Sequence, residues 1–200
     1  MPYSKKESDF IKYVKTRCKE HGVTCMLRNS KFVQMSDRVK CSGWFDETVP
    51  ELVVSMKRPD WIEILAHEYS HLTQWVEQIP IWKQAETSLP VLWGWLEGED
   101  YEEDVEQHIN VARDLELDNE KRAVKIIETF ELNVNVEYYI KKANAYIQFY
   151  NWIKTTRRWC KPNNSPYKNT RLVEAMPSTF RMNYTKIPKR IEKIFLEENI

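Results

Sequence analysis

The stretch that most constrains this chain runs from Pro59 to Trp75, PDWIEILAHEYSHLTQW, with His67-Glu68-Tyr69-Ser70-His71 at its centre. Asp60 followed three residues later by Glu63, with Pro59 just ahead, has the form of a capping box and predicts a helix start. Histidines four apart then share one helix face, a turn from each other, and both imidazoles can reach a single Zn²⁺ at about 2.0–2.1 Å. Glu68 is not a ligand in this arrangement. It faces the metal's open position, where a carboxylate takes a proton from an attacking water and passes it to a leaving group. The competing reading is an ordinary amphipathic helix whose histidines only hydrogen-bond. Trp61, Leu65, Leu72 and Trp75 already supply an apolar side, so the histidines are not needed to complete it.

A catalytic zinc usually has three protein ligands, and the third must come from elsewhere. A site completed by a His six residues beyond His71, with a Gly three beyond it, is excluded, because Glu77 and Gln74 stand at those places. The chain has only two further histidines, His21 and His108. Downstream, Asp114 to Val124 reads DLELDNEKRAV, a helical stretch that puts Glu116 and Glu120 on one face with Ala123 a turn further on.

With these two motifs the chain resembles the gluzincins, metallopeptidases in which a Glu on a second helix completes a His, His, Glu site. Their second motif is typically E-x-x-x-D or E-x-x-x-N, often with a small residue three positions later. Glu116, Glu120 and Ala123 match that spacing. The resemblance implies one Zn²⁺ per chain held by His67, His71 and Glu116, Glu68 as general base, and Glu120 as an outer group that orients a histidine. Glu120 departs from the Asp or Asn of the pattern, which leaves open that Glu120 is the ligand and Asp114 or Glu116 the outer group. His108, eight residues before Glu116, is a reserve ligand or a substrate contact, or simply a histidine at the edge of a core.

Hydrophobic residues at 42%, with 8 Trp, 10 Tyr and 7 Phe, allow a sizeable core. The formal net charge is zero, which argues against a whole-protein role in coating nucleic acid or an anionic membrane. No apolar run approaches about 18 residues and no segment has a signal-peptide layout, so a cytoplasmic protein is expected, or one in the host cytoplasm if phage-encoded. Cys18, Cys25, Cys41 and Cys160 include no C-x-x-C pair and read as small buried hydrophobes in a reducing compartment.

Ser4 and Glu7 form a second capping box, and Phe10, Ile11, Val14 and Cys18 recur at helical spacing up to Gly22. Short strands are predicted at Val23 to Arg28, Lys31 to Met35, Val39 to Phe45 and Glu51 to Met56, with turns at Asn29-Ser30 and Ser36-Asp37. The fold class expected is α+β. A helix, a small antiparallel or mixed sheet, a strand and then the H-E-x-x-H helix resemble the minimal zincin core of ImmA/IrrE-type and SprT-type domains. The resemblance implies that strand 51–56 borders the cleft and pairs with an extended protein or peptide substrate.

Residues 1–160 are expected to form the metallopeptidase-like domain and 161–200 a basic, Pro-containing extension with a short final helix. Residues 76–99, with Pro80, Pro90, Gly94, Gly98 and three tryptophans, read as an insertion: a lid over the cleft or a long loop pinned by its aromatics. Glu97 to Glu120 carries eleven acidic residues against Arg113 alone. A long helix with an aromatic stripe is predicted over 133–159, and one of its tyrosines is a candidate oxyanion donor by the gluzincin resemblance. From Lys154 to Arg190 there are ten Lys or Arg and one acid, Glu174, interleaved with aromatics. Such a composition suits single-stranded nucleic acid, and it equally suits charge balance with the acidic middle of the molecule. Zinc peptidase, zincin-scaffold binding protein without catalysis, and nucleic-acid-associated protein are the three functional classes that follow.

Overall fold

The computed structural model describes residues 3–34, 40–102, 104–161 and 163–200. Its fold is α+β, mostly helical, with seven α-helices and a small mixed sheet among the described residues. The chain divides into two compact units, residues 1–78 with 119–136, and residues 79–118 with 137–200. The Ser36-Asp37 turn lies outside the described residues.

In the first unit, α1 (Lys5–Glu20) opens with the expected capping box. Ser4 Oγ accepts the Glu7 N–H at 3.2 Å and Glu7 Oε2 accepts the Ser4 N–H at 2.7 Å. Phe10, Val14 and Cys18 form its buried stripe, and Gly22 at φ 71° turns the chain out of the helix, a conformation that suits a residue without Cβ. β1 (Thr24–Arg28) follows. A two-stranded antiparallel pair, β2 (Val33–Gln34) and β3 (Lys40–Cys41), precedes β4 (Gly43–Asp46) and β5 (Glu51–Ser55).

The three-stranded sheet has the order β1-β5-β4, with β5 parallel to β1 and antiparallel to β4. This corrects the strand assigned to substrate: β5 is central, hydrogen-bonded on both sides, and offers no edge. Leu52, Val53, Val54 and Ser55 are all buried, the continuous burial of a central strand.

The motif helix is α2 (Trp61–Glu77). It starts where expected, but without the capping box: the Asp60 carbonyl accepts the Ile64 N–H at 3.1 Å, while its side chain makes no bond to the helix and both carboxylate oxygens accept from Arg58, at 2.8 and 2.7 Å. Arg58 lies only two residues away, and a bidentate ion pair outcompetes a neutral N–H donor for the same carboxylate. Ile62, Leu65, Ala66, Tyr69 and Leu72 are buried, and Trp61 and Trp75 meet Tyr3 and Phe45 at ring-centroid distances of 5.2 and 5.7 Å. The C-terminal part of α4 (Val105–Thr129) completes this unit, where Arg122 bonds Glu77 at 2.7 Å and Thr73 at 3.2 Å.

The second unit corrects two expectations. Residues 76–99 are not a loop: α3 (Pro80–Glu97) fills most of that stretch, with Pro80 in its first turn and Pro90 inside it. A proline at the start removes no helical hydrogen bond, and Trp82, Ala85, Ser88 and Leu92 bury one face that compensates for the donor missing at Pro90. Nor do residues beyond 160 form an appendage. Leu172 and Val173 of α6 (Thr170–Ala175) and Ile191, Ile194 and Phe195 of α7 (Lys189–Glu197) share one core with Phe149 and Trp152 of α5 (Val136–Thr156).

Helix α5 is buried nearly all round, as a central helix should be. Its aromatic stripe is joined by a polar one. Asn144 donates to the Pro177 and Thr179 carbonyls at 2.8 and 3.1 Å, and Asn151 accepts from the buried Arg113 at 3.1 Å. Asn151 also donates to the Tyr184 carbonyl, so these side chains hold the irregular segment 177–184 against the helix. No helix among the described residues is long and apolar enough to cross a membrane.

Candidate metal centre

His67 and His71 lie one turn apart near the middle of α2, with ring centroids 4.9 Å apart and planes nearly perpendicular at 87°. Each ring has its Nδ1 engaged by an outer side chain. His71 Nδ1 is 2.9 Å from Oε1 of the fully buried Gln74, one turn further along α2. His67 Nδ1 is 3.2 Å from Glu120 Oε1 and 3.0 Å from the Asn119 amide, both on α4. A hydrogen bond at Nδ1 fixes the ring and directs Nε2 to the opposite side, which is how ligating histidines are held.

Glu116 precedes Asn119 and Glu120 by one turn of the same unbroken helix. Its carboxylate and the two imidazoles each offer a ligand atom, and these atoms lie within 4.8 Å of one another. Two imidazoles and a carboxylate, all half-buried and with outer partners in place, are a donor set that suits a divalent transition-metal ion. The small Ala123, fully buried, lies two turns beyond Glu116.

The structure therefore separates the two glutamates: Glu116 groups with the histidines while Glu120 bonds the back of His67. Asp114, the other candidate for an outer group, is exposed and bonds Arg113 Nε at 2.8 Å. His108 is not in the group; its Nδ1 is 3.1 Å from Ser88 Oγ on α3. Sequence reasoning missed Gln74 and Asn119. Both stand at i+3 from a ligand candidate, on the same helix face, and that spacing was their signal.

Glu68 is buried, 8% exposed. Burial pushes its carboxyl up to about 7, Glu120 adds to the rise, and His67 and the Phe45 backbone N–H oppose it. His71 is pushed down to about 3, first by burial and then by His67, with Gln74 opposing, so its imidazole is neutral as a ligand must be. Gly43 explains how β4 comes so close to Glu68. A Cβ there would meet Val53 O at 2.8 Å, Ile64 Cγ2 at 2.9 Å and Glu68 Cγ at 3.2 Å.

In the second unit, the hydroxyls of Tyr146 and Tyr150 on α5 lie 3.2 Å apart. Burial holds both phenols well above their ordinary range, and the Glu116 carboxylate raises each further, so this pair lies within electrostatic reach of Glu116. The basic and acidic segments meet within the same unit. Lys154 bonds Glu106 at 2.8 Å, Arg157 bonds the Glu99 carbonyl at 2.6 Å and Asp100 at 3.3 Å, and Arg171 bonds Glu198 at 3.0 Å and Glu197.

No protein-family model, curated protein or solved structure matches this chain.

Proposed function

We propose that the chain is a zinc-dependent peptidase of gluzincin type, with His67, His71 and Glu116 as ligands and Glu68 as general base. The observation that carries this reading is the grouping of those three ligand atoms within 4.8 Å beside a buried Glu68. A bound Zn²⁺ supplies Lewis acidity that polarises a scissile carbonyl and eases deprotonation of water. Glu68 takes the proton and returns it to the leaving amine, a role suited to a carboxyl held near neutrality. Glu120 and Gln74 keep the two imidazoles in fixed orientation throughout.

The strand that borders Glu68 is β4, whose Phe45 N–H meets the Glu68 carboxylate. An extended substrate backbone is therefore assigned to the β4 side of the sheet, in place of β5. The nucleic-acid reading is less favoured, since Lys154, Arg157 and Arg171 of the basic segment are engaged in ion pairs.

Metal analysis of protein purified without chelator tests the site. About one zinc per chain is expected, lost in Glu116→Ala and retained at reduced affinity, roughly 10- to 100-fold weaker, in Glu120→Ala. Loss in Glu120→Ala alone would exchange the two roles, and no zinc in the native chain would remove the reading. Glu68→Gln should keep the zinc and the fold while hydrolysis of unfolded protein or a peptide library disappears. Undiminished cleavage by that variant would refute the assigned base.

A further inference from the structure

The sheet has a second face, and it carries a cavity unconnected with the histidines. Gly43 presents its Cβ direction to Ile64 and Glu68 of α2, so its neighbour Trp44 points the opposite way. The register places Trp44, Val53 and Met26 side by side across the three strands on that far face. They floor a concavity of about 580 Å³, within the range of small-molecule sites, whose rim includes Arg28, Phe32 and Glu51.

Three features of this cavity point to a ligand. Trp44 is held in place, its Nε1–H donating to Glu51 Oε1 at 2.9 Å, so an indole face is already positioned on the floor. Phe32 stands exposed at the rim, with Arg58 over its ring at 5.8 Å, and Arg58 has its charge answered by Asp60. Arg28 differs from Arg58. Among the described residues its guanidinium bonds only the Met26 sulfur, at 2.9 Å, and faces no carboxylate. A thioether is a poor acceptor for a cation whose planar fork matches a carboxylate. Glu51, whose Cα is about 13 Å along the strands from that of Arg28 by register, places a negative charge in the same lining.

We propose that this cavity is a binding site for a planar aromatic monocarboxylate, its ring against Trp44 and Phe32 over Met26 and Val53 and its carboxylate on Arg28. A flat apolar body uses the aromatic walls, the guanidinium fork selects a carboxylate over a neutral group, and Glu51 disfavours dianions. The site does not depend on the metal reading, and its test is made in the presence of chelator so that the two stand or fall separately.

The test is a titration of the whole chain with 2-naphthoate and with the uncharged 2-naphthamide, read at the indole N–H resonance of Trp44, which a Trp44→Phe variant identifies. Naphthoate is expected to saturate that shift with a Kd below about 1 mM, and naphthamide to bind about tenfold more weakly. Arg28→Gln should bring naphthoate down to the level of naphthamide, and Arg28→Lys should restore part of the difference. Arg28 is exposed, so neither variant threatens the fold. No saturable shift at Trp44, or an unchanged preference for the carboxylate in Arg28→Gln, would overturn the proposal.

Discussion

Glu68 and His71 were recognised from their spacing alone, yet their environments oppose each other in a way that spacing does not reveal. Burial raises the Glu68 pKa to about 7 and lowers that of His71 to about 3. A carboxyl whose folded pKa is raised loses stability as pH climbs from its unfolded value near 4.5 through 7. An imidazole whose folded pKa is depressed loses it as pH falls from 6.5 toward 3. In metal-free protein, Glu68→Gln removes the first loss. Urea denaturation in chelator should show the variant gaining on the native chain between pH 4.5 and 8, by on the order of 3 kcal/mol. The grouping of His67 with His71 was legible because a helix fixes what is four residues apart. The choice between Glu116 and Glu120 was not, since both lie on one face and only the partner helix distinguishes them. Gln74 and Asn119 were within reach, at i+3 from a ligand candidate, but amides carry no motif of their own.

At the level of elements, α1 and α2 could be read because capping residues and apolar periodicity agreed, and α5 because apolar residues recur at helical spacing through a stretch without Gly or Pro. Helix α3 was obscured by Pro80, Pro90 and Gly94, which punctuate a loop as readily as they mark a helix start and an interrupted interior. The position of β5 was misjudged for a different reason. Its Leu52-Val53-Val54 run lacks the alternation of a half-exposed edge strand, and that unbroken run was the sign of a centre. Strand β4 depends on one residue for its closeness to α2. Gly43→Ala places a methyl group within 3.2 Å of Val53 O, Ile64 and Glu68. A loss of about 1–3 kcal/mol is expected in denaturant unfolding, together with reduced hydrolysis on the proposed peptidase reading, because backbone as well as side chain must shift.

On the scale of the whole molecule, the zero net charge conceals a segregated sequence whose acidic and basic stretches answer each other within the second unit. These pairs are largely exposed, so each contributes little to stability, and the apolar core beneath them carries more. Phe195, fully buried, stacks on Trp152 at 5.4 Å. Phe195→Ala should cost about 3–5 kcal/mol in thermal or urea unfolding, an effect that a dispensable C-terminal tail would not produce. Sequence composition foresaw the charge balance as one of two readings; it did not foresee that α6 and α7 help to build the core, because short amphipathic segments among prolines resemble a tail until their partner is known. The division of the chain also has a consequence in time. The first unit draws on residues 1–78 and then on 119–136, so the ribosome must make residues 79–118 before its last piece exists. At ordinary elongation rates the nascent chain spends roughly 2–9 s with its H-E-x-x-H segment already made and Glu116, Asn119 and Glu120 not yet synthesised.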